Sequence, residues 1–148
     1  MVAKQSAIVL ESFVIMDSKC AIILSDSADF QPIETTRNFP IEIDFHIEKE
    51  NNTERYRIFT KVEINNGIEK ESGYSISTKG LGFFSFDQSK PIDENEKLQL
   101  LEYSGLSICI TNLRSYIANQ TSYFPWGNFT FHSVDVSDLL SEKNKEEQ

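Results

Sequence analysis

Histidine, cysteine and basic residues are scarce in this chain, and each shortage removes a class of function. The two histidines, His46 and His132, have no convincing set of partners, so acid–base and nucleophilic constellations lack a starting point and no enzyme is expected. Cys20 and Cys109 are far apart and outside any C-x-x-C spacing, as expected of reduced thiols that pack rather than react. Fourteen Lys and Arg against 23 Asp and Glu leave a net charge of −9, and no basic stripe with interleaved aromatics exists, which excludes nucleic acid as a partner. No apolar run is long enough for membrane insertion, and MVAKQSAIVL at the start lacks the apolar core of a signal peptide, so a cytoplasmic address is expected. The pair Gly80 and Gly82 has neither a third glycine nor a following Lys-Ser/Thr, so it is no phosphate loop. Glu42, Asp44, His46 and Glu48 share one face of a strand, but extended spacing spreads them too far to converge on one metal ion. No cofactor is expected.

What the chain does have is ring surface. Its 148 residues include eleven Phe and are 39% hydrophobic, enough for one domain over 1–148 with a core of sheet plus helix. AIVLESFVIM at 7–16 is apolar on both alternating faces and reads as a strand covered on both sides, continuing into AIIL. SDSADFQPIETTRNFP at 25–40 has neither helical nor strand periodicity and reads as a long crossover loop. IEIDFHIE at 41–48 then alternates cleanly, Ile41, Ile43, Phe45 and Ile47 against Glu42, Asp44, His46 and Glu48. RYRIFTKVEI at 55–64 returns with Tyr56, Ile58, Val62 and Ile64 inward, and YSISTKGLGFFSFD completes an antiparallel meander whose glycines suggest a bend or bulge.

Asp93 followed by Glu96 is a capping box, predicting a helix from about residue 94 to about 120. Leu106, Ile110, Leu113 and Ile117 form one face, and Leu101, Ile108, Cys109 and Tyr116 make the remainder apolar too, as suits a helix held between two surfaces of an oligomer. YFPWGNFTFH is an aromatic loop. SVDVSDLLSEKNKEEQ is a short helix capped by Ser133 or Asp135, its charged tail 143–148 frayed. The class is α+β: a four-stranded antiparallel sheet with a long crossover loop, followed by one long and one short C-terminal helix.

This order of elements resembles the SecB family of protein-export chaperones over roughly residues 8–142. GFFSF at 82–86 is similar to the stretch that ends the family's last strand. Leu101, Ile108, Arg114 and Ile117 keep the family's spacing through the long helix; FQ at 30–31 and FP at 39–40 resemble its crossover loop. FP at 124–125 and SVDVSDLL at 133–140 resemble its Phe-Pro turn and last helix. Leu106 and Thr111 replace two prolines of the family's helix, so its kink is expected to be absent. Of the acidic positions by which relatives meet the translocase motor SecA, Asp17 matches, while Ala21 and Ser77 stand where carboxylates are expected.

The resemblance implies a molecular chaperone that holds extended non-native polypeptides in an apolar groove, for export or a related delivery task. It implies a homotetramer, a dimer of dimers, and unfolded preproteins as cargo, with SecA contact through Asp17 weakened by Ala21 and Ser77. A chaperone dedicated to the antitoxin of a toxin–antitoxin pair is the main alternative; a small-molecule carrier with an aromatic pocket is another. Carried onto matching positions, the groove takes Ile41, Ile43, Phe45, Val136, Leu139 and Leu140. The residues themselves add Phe30, Phe39, Trp126, Phe129 and Phe131, because loop aromatics beside Pro and Gly are too many to point into one small core, whereas Phe45, Phe59, Phe84 and Phe86 are expected to bury against the long helix.

Overall fold

The computed structural model describes residues 1–24 and 39–146. Most of the predicted crossover loop, Phe30 included, lies outside the described residues; Phe39 and Pro40 lie within them. Four strands, β1 (Ile8–Ile23), β2 (Ile41–Lys49), β3 (Tyr56–Ile64) and β4 (Gly73–Phe86), form one antiparallel sheet in the order β1-β4-β3-β2. Three helices follow: α1 (Glu94–Leu100), α2 (Leu106–Thr121) and α3 (Val136–Glu146), with a π-helical turn at Leu101–Gly105 joining the first two. This is the expected α+β class.

The alternation of β3 sets the two faces of the sheet. Tyr56, Ile58, Thr60, Val62 and Ile64 are buried toward the helices, and Arg57, Phe59, Lys61 and Glu63 take the outer face. Phe59 was expected under the long helix, but its parity sends it outward, beside His46 and under the Arg57 guanidinium.

β1 differs from expectation in an instructive way. Its register slips between Leu10 and Ser12 and again between Ile15 and Asp17, leaving Glu11 and Met16 as extra residues. Each slip reverses which parity faces the helices: Ile8, then Phe13 and Ile15, then Ser18, Cys20 and Ile22. One continuous inner face therefore reads in the sequence as apolar on both sides. Among the described residues the outer side of this edge strand is uncovered: Val14 is 41% and Met16 58% exposed.

Gly80 and Gly82 carry no bulge in β4, whose pairing with β3 runs unbroken through both, and both lie on its helix side opposite Ile15 and Phe13. A Cβ at Gly82 would stand 2.7 Å from Cys109 Sγ and 2.7 Å from the Phe84 ring; one at Gly80 would meet the Phe13 ring and approach Leu113 to 3.1 Å. The glycines let the helix sit close to the sheet, and the bulges belong to β1. Gly105 repeats the device from the helix, where a Cβ would meet Ile58 Cδ1 at 2.7 Å.

Asp93 caps α1 with the full reciprocal capping box: its carboxylate accepts from Glu96 N at 2.8 Å, while Glu96 accepts from Asp93 N at 3.2 Å. The helical run to Thr121 is nearly the predicted length, but the π turn interrupts it just before Leu106, in a segment without proline. That turn presents Leu101 and Gly105 to the core, and Leu106, Ile110, Leu113 and Ile117 follow them, all buried. At α3, Asp135 Oδ1 accepts from Ser137 N and Asp138 N, so Asp135 rather than Ser133 is the cap.

Because Cys109 is held by the helix and Phe84 is fully buried, Gly82→Ala should cost about 1–3 kcal/mol of stability in a denaturant titration. Adding Cys109→Ala should recover part of that loss.

Candidate functional site

The loop candidates Trp126 and Phe129 gather at one end of the sheet, where the chain leaving α2 folds back toward β4. Thr121 ends the helix by donating to Ile117 O and accepting from Phe129 N, both at 2.7 Å. Tyr74, at the start of β4, donates its hydroxyl to Gly127 O at 2.6 Å, and its ring lies edge-on to Trp126 and Phe129 at centroid distances of 5.3 and 6.2 Å. Gly127 takes a positive φ of 74° that lets the loop turn there. Phe39, Trp126, Phe129 and Phe131 are consequently buried, along with Phe45 and Leu140. Of the described loop rings expected to be too many for one core, Trp126 and Phe129 pack on Tyr74, and Phe39 and Phe131 join the same buried core. Among the candidate residues described, Ile41, Ile43, Val136 and Leu139 remain half-buried and within reach of a ligand.

A cleft of about 470 Å³ runs between β2 and α3. Ile43, Phe45 and Leu139 supply its apolar surface; Glu42, Asp44, Glu63, Glu142 and Glu146 line it with carboxylates, answered by Lys61 and Lys143. A second cavity of about 210 Å³ shares Glu42 and Glu63 and extends past Phe39 and Pro40 to Glu69 and Glu71. The two form a trough with apolar patches and a strong surplus of negative charge. Glu42 stands directly opposite Glu63 across β2 and β3, a like-charge pairing that opposes folding. Lys61 Nζ relieves it from 2.8 Å, and its hydrogen bond to Glu63 is the main reason that carboxyl is held below the usual range. The Lys143 ammonium is 2.7 Å from Asp44 Oδ1 and 5.8 Å from the Phe45 ring centroid; its hydrogen bond is the largest cause holding the Asp44 carboxyl below its ordinary value.

Sequence reasoning found the apolar half of this cleft but not its charged half. The signal was present: Glu42 and Asp44 alternate with Ile43 and Phe45, and Leu139, Glu142, Lys143 and Glu146 recur at helical spacing. Nothing in the spacing says that these two faces meet.

Asp17, Ala21 and Ser77 lie on the outer sheet face, away from the helices. Asp17 stands opposite Lys79, and Ser77 opposite Lys19, so the matching carboxylate sits among cations. A depression of about 300 Å³ beside them is lined by Met16, His46, Phe59, Lys61 and Lys79, and Arg55 packs over the Phe83 ring at 4.4 Å. The thiols are poor nucleophiles here: burial pushes Cys109 up to about 12 and Cys20 up to about 11. His46 pairs with Glu48 at 3.6 Å and His132 meets Ser133 O at 2.8 Å, two separate places. Among the described residues, no group of three or more His, Cys, Asp or Glu is placed to hold a metal ion, and no helix is long and apolar enough to cross a membrane.

No protein-family model and no curated protein matches the sequence. Among solved structures, the chain is similar to the Mycobacterium tuberculosis Rv1957 SecB-like chaperone, solved in complex with a ChAD peptide from the Rv1956 HigA1 antitoxin. The TM-score is 0.60 at 11% identity, covering 87% of this chain and 91% of that one. A protein of unknown function from Streptococcus agalactiae matches with a TM-score of 0.47 at 11% identity, over 85% of this chain and 97% of that one. The SecB-like fold is thus shared.

The Asp44–Lys143 contact makes a titration testable. The depressed carboxyl contributes to α3 docking above the ordinary Asp value and loses that contribution as pH falls through its own lowered value. In carbon-detected NMR, the Asp44 midpoint should lie below about 3.9 and rise toward it in Lys143→Met.

Proposed function

We propose that the chain, acting as one domain over residues 1–148, is a non-catalytic molecular chaperone that binds extended non-native polypeptide in the trough between β2 and α3. The observation that carries this reading is the cleft itself: on a SecB-like fold, Ile43, Phe45 and Leu139 form an apolar surface with a carboxylate rim at the place where the resemblance puts a groove. Apolar side chains exposed by unfolded cargo gain by leaving water there, without a strict sequence code. β2 ends the sheet, so among the described residues one edge of its backbone is unpaired and open to an added strand. Phe30, Phe39, Ile41, Trp126, Phe129, Val136 and Leu140 complete the proposed groove; those of them that the structure buries act by supporting its walls. The acid rim favours basic cargo. No cofactor enters this mechanism.

Assembly as a homotetramer, a dimer of dimers, is part of the reading. β1 is a sixteen-residue edge strand whose outer side exposes Val14 and Met16, a surface that a second copy can cover. Linked grooves raise the effective concentration of each for a bound chain. Among cargoes, a dedicated antitoxin is favoured over general preproteins by two observations: the structural neighbour was solved with an antitoxin peptide, and Ala21 and Ser77, with lysines beside Asp17, make a poor acidic surface for SecA. A small-molecule carrier is disfavoured, because the rings such a pocket would use fill the core around Tyr74. The proposed address is the cytoplasm.

The purified chain should bind a chemically unfolded protein and suppress its aggregation; absence of both would sink the chaperone reading. Ile43→Ser should weaken that binding about tenfold, as loss of one half-buried aliphatic contact does, in protein that a thermal melt shows to be folded. Val14→Glu with Met16→Glu should reduce the particle mass in light scattering, and unchanged mass would argue against assembly through β1. Pull-down with SecA should show weak or no association.

A further inference from the structure

Asp44 and Phe45 are consecutive on an edge strand, so their side chains leave β2 on opposite sides. Lys143 of α3 reaches both, with its ammonium 2.7 Å from Asp44 Oδ1 and 5.8 Å from the centre of the Phe45 ring. A cation held between a carboxylate and an aromatic ring forms a complete recognition unit for a lysine or arginine side chain. The unit is accessible, with the Asp44 side chain 69% and the Lys143 side chain 28% exposed. Leu140 is the one buried residue of α3 among the described residues, which makes α3 an element held by few contacts. Glu42 and Glu146 add negative charge beside the unit.

We propose that Lys143 is a latch that holds α3 over the cleft in the place a cargo cation takes, and that a lysine or arginine of extended non-native polypeptide displaces it from Asp44 and Phe45. Basic segments thereby open the site they then occupy. A neutral segment must break the same contact without replacing it. This inference rests on the chaperone reading and adds the device by which that site is guarded and its cargo chosen.

The test uses the full chain and two synthetic peptides with identical apolar residues, one carrying lysines where the other carries glutamines, with affinity read by fluorescence anisotropy at low salt. Wild type should prefer the lysine peptide about fivefold, the worth of one exposed ion pair with a cation–π contact. Lys143→Met should tighten both peptides by a similar factor and leave the preference intact, because it removes the latch and spares the receiving groups. Asp44→Asn should shrink the preference to what the remaining acid rim supplies, by raising the glutamine peptide toward the level of the lysine peptide. Lys143→Arg should behave as wild type, and α3 amides should exchange with solvent faster in Lys143→Met. Peptide binding that is unaffected by Lys143→Met, or a lysine preference that Asp44→Asn leaves undiminished, overturns the latch and leaves the chaperone reading standing. Failure of every variant to bind either peptide or unfolded protein overturns both. Matching thermal transitions show that the comparisons concern folded protein, and Lys143→Gln replaces the Met variant should that one not fold.

Discussion

The close approach of the long helix to the centre of the sheet is the constraint on which the rest of this structure depends. Two positions of β4, Gly80 and Gly82, present no side chain to the helix, and Gly105 returns the concession from the other side. Leu113, Cys109 and the Phe13 ring occupy the space that Cβ atoms would have taken. Phe13 reaches that space only because a bulge at Glu11 re-phases β1, and the π turn ending at Gly105 sets Leu101 and Leu106 against the same core. Glycines, bulge and π turn are one solution to one packing problem: a helix laid near enough to the sheet that side chains on a single layer fill the gap.

That proximity determines where the aromatic chain beyond the helix can go. Thr121 ties Phe129 to the helix end, and the Tyr74 hydroxyl ties Gly127 to β4, so the loop rings close the end of the core. α3 is left to lie along β2. The trough between them combines an apolar surface with a charge arrangement that opposes folding, Glu42 facing Glu63. Stability alone does not call for that pairing. It is the feature a site for cationic, unfolded cargo would need.

Much of the fold was legible in the sequence, for local reasons. The strict alternation of IEIDFHIE and the reciprocal Asp93–Glu96 cap are readable because they are carried by neighbours within a few residues. β1 misled because two bulges inverted its parity, and bulges respond to the partner strand rather than to local sequence. Phe59 misled for a related reason: hydrophobicity alone assigned it inward, while its parity with Arg57 and Lys61 placed it outside. Trp126 and Phe129 were read as ligand surface because nothing local reveals that Tyr74, about fifty residues earlier, is the post they gather around.

The sequence by itself determined the order of elements, the inner face of each regular strand and the helix start, since periodicity and capping act between residues close along the chain. Only the tertiary structure decided which rings are core and which apolar residues line a cleft, and only there do Lys143, Asp44 and Phe45 meet across ninety-nine residues of chain. Those outcomes depend on how near the helix comes to the sheet. That distance is a property of the packed whole, set by three glycines whose effect is to have no side chain.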